Sequence, residues 1–284
     1  MKTKKIIIIG IIAIFAISSF QNISSIKTQN EPIKFNEMDI WTGTIRIEGE
    51  LDTIWEGKID VGSVTINALN VDTQEVETHE LTYPSILGAL YEASQTGGFT
   101  IEVQYFPTWD SLYVSSINGE VAGLQTGWNY WVDYEAIMVG ADSYELTNDD
   151  SEILWGFLYY ETWETNAHTL KISINEEIVK EFEVFSISVF DEQLNPVEES
   201  TVFIGSDTYE TDENGVVKAS VENHGSYNIF AEKEPTTDDT YLRSCKQIIA
   251  VEESIFPNII KLIESIIEII PNLEPILRPL IDYL

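Results

Sequence analysis

Residues 127–135 read GWNYWVDYE, two tryptophans and two tyrosines in nine positions. A β-strand turns successive side chains to opposite faces. With that period Trp128, Tyr130, Val132 and Tyr134 share one face, and Asn129, Trp131, Asp133 and Glu135 share the other. The first set reads as core. Trp131 stands among polar neighbours, and three uses are open to its ring: covering a second core, packing on an adjoining domain, or stacking on a ligand. The following strand, EILWGFLYY at 152–160, is apolar on both faces. Ile153, Trp155, Phe157 and Tyr159 lie on one side, and Leu154, Leu158 and Tyr160 on the other. A sheet made of these two strands therefore needs a layer on each side. A ligand or a second domain supplies the outer one.

Working outward, the same alternation runs through GTIRIEGE at 43–50 and DTIWEGKIDVGSVTINAL at 52–69, so both read as half-buried strands. One helix interrupts them. TYPSILGALYEASQTGG at 82–98 carries Ile86, Leu87, Leu90 and Ala93 at helical spacing. Pro84 is expected near its first turn, and Gly97 with Gly98 at its end. Strands resume with FTIEVQYF and SLYVSSING, where Asn118-Gly119 signals a two-residue hairpin. The expectation for 40–165 is an α+β domain: an antiparallel sheet with one short helix.

Beyond Glu164 the aromatic density falls and short strands recur with turn signals between them, among them Asn195-Pro196 and DENG at 212–215. This predicts an all-β sandwich over 168–252. Residues 254–284 form an amphipathic helical tail, with Pro271, Pro275 and Pro279 expected to break its second part. Its wide apolar face is left to dock on this chain, to pair with a second copy, or to lie on a membrane surface. It is too short and too charged to span a bilayer.

The chain of 284 residues carries 48 acidic against 15 basic side chains, a net charge of -33. Such a surface repels phosphate backbones and excludes nucleic acid as a partner. One cysteine, Cys245, excludes an intrachain disulfide and a cysteine metal site. Lys2, Lys4 and Lys5 precede an apolar run at 6–17, the layout of a signal peptide. Residues 1–25 are thus expected to be a leader, cleaved or retained as an anchor, with 26–39 as a linker. The protein is expected outside the cell or at its surface. His79, His168 and His224 are scattered, and neither a nucleophile elbow nor a phosphate loop occurs. TNDDSE and TTDDT lack the calcium-loop register and read as solvated turns. No catalytic residue, metal ligand or required cofactor is named, and the expectation is a protein that is not an enzyme.

GWNYWVDYEAIMVGADSYELTNDDSEILWGFLYY resembles the signature of the transcobalamin-like C-terminal domain family, through Gly127, Trp128, Tyr130, Val132, Asp133, Gly140, Tyr144, Leu146 and Trp155. The resemblance covers about 40 to 162. Asp133-Tyr134 stand where that family commonly has Asn-Gly, and the helical barrel that accompanies the domain in cobalamin carriers is absent from this sequence. The resemblance implies an exported fold and, as ligand, cobalamin or another corrinoid. The segment VFDEQLNPVEESTVFIGSDTYETDENGVVKASVENHGSYNIFAEKE is similar to immunoglobulin-like modules of microbial surface proteins. Two functions follow as expectations. One is binding of a small molecule or surface component through the aromatic sheet, with Trp131, Asn129, Asp133, Trp128, Tyr130, Tyr134 and Trp155 as candidate contacts. The other is a structural or adhesive role in the cell envelope without a small ligand.

Overall fold

Ile45 and Ile47 alternate with Arg46 and Glu48, and the alternation does place the isoleucines in a core. The structure, a computed structural model, describes residues 40–162 and 164–281. The expected leader and linker lie outside the described residues. The N-terminal half holds β1 (Trp41–Glu48), β2 (Thr53–Val61), β3 (Val64–Asn70), β4 (Val76–Leu81), α1 (Ile86–Gly97), β5 (Ile101–Phe106), β6 (Ser111–Ile117), β7 (Glu120–Val121), β8 (Thr126–Val132), β9 (Glu135–Ala136) and β10 (Glu152–Tyr159).

These strands form two mixed sheets of five, in the orders β2-β1-β10-β8-β9 and β4-β3-β5-β6-β7. The single antiparallel sheet expected from sequence is corrected here. The reason lies in the connections. Parallel neighbours need a crossover, and α1 supplies one between β4 and β5, so that β5 lies parallel to β3. The rest of the half supplies the other, because its first strand, β1, lies parallel to its last, β10. A shared cluster joins the inner faces of both sheets to α1, through Ile45, Ile66, Leu87, Leu90, Val114, Trp128 and Trp155 among others. Each such side chain contributes about 1.5–3 kcal/mol by leaving water.

α1 starts where Ser85 accepts the Gly88 N–H on its hydroxyl at 3.0 Å. It ends at Gly98, whose φ of 71° is left-handed. Pro84 sits near the first turn, one residue before the cap. Its carbonyl is thereby free to accept the Leu146 N–H at 2.9 Å.

The C-terminal half holds β11 (Asn166–Thr169), β12 (Lys171–Ile174), β13 (Ile178–Lys180), β14 (Phe185–Phe190), β15 (Thr201–Ile204), β16 (Asp207–Glu210), β17 (Val216–Ala219), β18 (Gly225–Glu232), β19 (Asp239–Leu242) and β20 (Gln247–Glu252). A three-stranded sheet, β12-β14-β17, and a five-stranded sheet, β13-β20-β18-β15-β16, share one core. The turn signals act locally. Asp212 accepts the Asn214 and Val216 N–H groups at 2.9 Å, with Gly215 at a φ of 69°. β11 and β19 pair in parallel as a separate ribbon, and the expected domain boundary falls on β11.

The tail is α2 (Ile255–Ile269), a 3-10 turn (Pro271–Leu273) and α3 (Glu274–Ile281). Only Pro271 breaks the helix. Pro275 lies in the first turn of α3, where a missing N–H costs nothing, and Pro279 is carried inside it. No helix among the described residues is long and apolar enough to cross a membrane.

Candidate functional site: the outer face of the first sheet

Register decides what faces outward. Trp131 pairs with Leu154 and Asn129 with Gly156 across β8–β10, and Arg46 and Glu48 pair with the same two residues across β1–β10. Hence Arg46, Glu48, Leu154, Gly156, Leu158, Asn129 and Trp131 share one face of the sheet. The C-terminal half covers it. Leu242 of β19 sits directly on Gly156, where an added Cβ would lie 2.5 Å from its methyl carbon. A glycine is required for that approach.

Trp131, expected to face outward, is 2% exposed. It forms a satellite core with Leu154, Leu158 and Leu242, against which Tyr134, Tyr160 and Ala167 pack. Of the three uses open to this ring, the structure places it in packing against the adjoining half. Asn129 is half-buried beside it, its amide donating to the Gly127 carbonyl at 3.5 Å.

The remaining candidates separate into three places. Trp128 and Trp155 belong to the inner core, the Trp128 indole donating to the Glu120 carbonyl at 2.9 Å. Tyr130 packs on that core with its ring 4.8 Å from Trp155, and its hydroxyl donates to the Val139 carbonyl. Burial raises its hydroxyl pKa well above the usual tyrosine range. Asp133 holds a turn: its carboxylate accepts the Ser151 and Glu152 N–H groups at 3.1 and 3.0 Å.

Tyr134 corrects the period-two reading. Asp133 and Tyr134 have φ values of 49° and 69°, the mark of a two-residue hairpin between β8 and β9. The turn reverses the chain, so Tyr134 joins the Trp131 side and not the Trp128 side. Lys171 places its ammonium 4.0 Å from the Tyr134 ring centroid.

The same face carries charges that the sequence reading passed over. Glu48, 1% exposed, receives Arg46 Nη1 on Oε1 at 2.7 Å and Arg243 Nε on Oε2 at 3.0 Å. Thr53 donates its hydroxyl to the same carboxylate at 3.0 Å. Arg243 reaches on to Glu232 at 3.1 Å and to the Gly49 carbonyl at 2.8 Å. Arginine and carboxylate thus alternate across the junction of the two halves. Burial pulls the Arg46 pKa down, but Glu48 and the Tyr134 and Cys245 groups beside it outweigh that and leave it raised. Burial pushes the Glu152 carboxyl up, against the pull of Arg46. One signal was available. Arg46 and Arg243 are two of only three arginines in a chain that otherwise uses lysine, and arginine suits buried, multiply bonded positions.

Chemically the face is built for packing and for charge pairing. No group of three or more metal-binding side chains comes together among the described residues.

Taken together, sheets and junction define a mostly β protein with several sheets and a short helical C-terminus. Residues 82–158, from just before α1 into β10, match a family described as a domain of unknown function, DUF4430. No curated protein matches the sequence. Among solved structures, red sea bream transglutaminase is similar over 73% of this chain, at 11% identity and a TM-score of 0.22. The chain spans 39% of that structure's length, and a likeness so low carries nothing about activity.

Proposed function

We propose that the protein is a non-enzymatic structural or adhesive module of the cell surface, in which two β units act as one rigid body. On this reading the N-terminal half is a transcobalamin-like domain and the C-terminal half an immunoglobulin-like spacer. The supporting observation is the placement of Trp131: the aromatic face that a small ligand would have used is occupied by Leu242 of the same chain. A buried apolar contact flanked by a buried ionic chain resists relative motion of the halves, which suits a load-bearing or presenting role. The basic and apolar start of the sequence supports export.

Tryptophan fluorescence tests this reading. Titration of the protein with cobalamin and with cobinamide is expected to give no saturable quenching beyond the optical filter effect. Saturable quenching that Trp131→Ala abolishes would overturn the reading in favour of a corrinoid receptor.

A further inference from the structure

Beside the ionic chain, where β10 meets β18 and β19, lies a cavity of about 330 Å³ lined by Glu50, Tyr159, Glu232, Glu234, Tyr241 and Arg243, among others. That volume is at the lower end for small-ligand sites, and junctions between packed units are where such sites concentrate. One wall is held firmly. Arg243 is tied to Glu48, to Glu232 and to the carbonyls of Gly49 and Leu51.

The charge inside does not balance. Three carboxylates, Glu50, Glu232 and Glu234, face two cations: Arg243 is committed to the junction, and Lys233 donates its ammonium to the Glu198 carbonyl at 2.5 Å and stands 5.7 Å from the Tyr241 ring centroid. Among the described residues Glu50 and Glu234 form no ion pair with a lysine, arginine or histidine. Glu232 is half-buried between them and Arg243, and its carboxyl is raised, first by burial and then by its acidic neighbours Glu234, Glu48 and Asp52, against the pull of Arg243. Two tyrosines complete the lining, and Tyr159 is 43% exposed. Carboxylates beside aromatic rings in a concave, partly dry site stabilise an organic cation both by charge and through the ring quadrupole. A small metal ion gains nothing from the tyrosine rings. Leu51 and Leu124, one and two positions in sequence from the lining residues Glu50 and Thr126, are 79% and 87% exposed.

We propose that this cavity binds an alkylammonium or guanidinium group on a short apolar arm, the chemistry of a lysine or arginine side chain and of a free polyamine. The assignment is independent of the surface role proposed above. The two exposed leucines nearby in sequence favour a peptide source, in which leucine-like residues flank the basic one.

The test is a titration of the ¹⁵N-labelled protein at physiological salt. Three probes are compared: 1,5-diaminopentane, an end-capped Leu-Lys-Leu peptide, and the same peptide with norleucine for lysine. Saturable amide shifts confined to residues around Thr126, Tyr159, Glu234 and Tyr241 are expected with the first two probes, and none with the third. Tighter binding of the peptide identifies a protein source, and tighter binding of the diamine a free amine. Glu234→Gln, at an exposed position, is expected to weaken binding by roughly threefold to fivefold, and Tyr159→Ala to weaken it as well. Glu75→Gln, on the exposed β3–β4 turn, is expected to leave it unchanged. Three results would overturn the proposal: no saturable shift at millimolar probe, equal binding of the norleucine peptide, or equal weakening by Glu75→Gln. The last two would reduce the effect to apolar contact or to the general field of an acidic surface.

Discussion

Trp128 and Trp131 are three residues apart on one strand and face two different kinds of interior. Behind Trp128 lies a large core, shared by eight strands and a helix, built from apolar side chains. Trp131 itself belongs to a thin layer of four buried apolar side chains, with Arg46, Glu48 and Arg243 buried on the same junction. The difference teaches how each is specified. A large apolar core gains stability by area alone and tolerates substitution of similar volume. A thin junction offers little area, so it depends on directional contacts and close fit to fix one arrangement. Buried ion pairs add little net stability, but breaking one strands a charge.

The sharpest way to break this contrast is Glu48→Ala, which leaves Arg46 and Arg243 buried without their shared partner. It is expected to cost about 3–5 kcal/mol. Urea unfolding followed separately in the two halves should then show two transitions in place of one. Replacing Arg46, Glu48 and Arg243 together with apolar residues should recover much of that loss; a triple variant as unstable as the single one would show that the charges stabilise outright.

Trp131→Ala is the next largest, about 3 kcal/mol by transfer and cavity formation. It should also expose Leu242 to dye binding. Gly156→Ala is expected to cost about 1–3 kcal/mol by overpacking against Leu242. Combining it with Leu242→Ala should be less damaging than the sum of the two, and strict additivity would argue against the contact.

The smallest effect is set by pH. His168 on β11 lies between Glu192 at 2.9 Å and Asp239 at 3.3 Å. Burial alone would lower its pKa, but the two carboxylates outweigh this and raise it. A raised folded value means that the stabilisation is complete below the unfolded pKa of about 6.5 and is lost as pH rises through the higher folded value. The stability advantage of wild type over His168→Gln should therefore be present at pH 5.5 and shrink towards pH 8.5. An advantage that grew with pH would contradict the arrangement.

Much of this was legible in the sequence, and unevenly. The β1 alternation, the glycine end of α1, and the Asn118-Gly119 turn follow from local chemistry, and they stand in the structure with φ values of 50° and 85° at that turn. The two-faced apolar character of β10 correctly demanded a second layer. Sheet order was not legible, because the pairing of β1 with β10 depends on crossovers that leave no local mark. The side taken by Tyr134 was missed because period-two counting fails across a turn. The ionic chain was missed because each of its charges, taken singly, looks like the solvent side of a half-buried strand.

The parallel neighbours β1 and β10 carry one more consequence. Thr44 pairs with Glu152, and the Trp41 indole donates to the Asp150 carbonyl across 109 positions of sequence. The opening strand therefore waits for its neighbour until more than a hundred later residues have been made. Loop closure of that length precedes any reward, so topology sets a slow pace for assembly. A chain emerging from a ribosome or a translocation channel keeps one β1 edge unpaired until β10 has emerged, and shortening it before β10 removes the strand that completes the sheet.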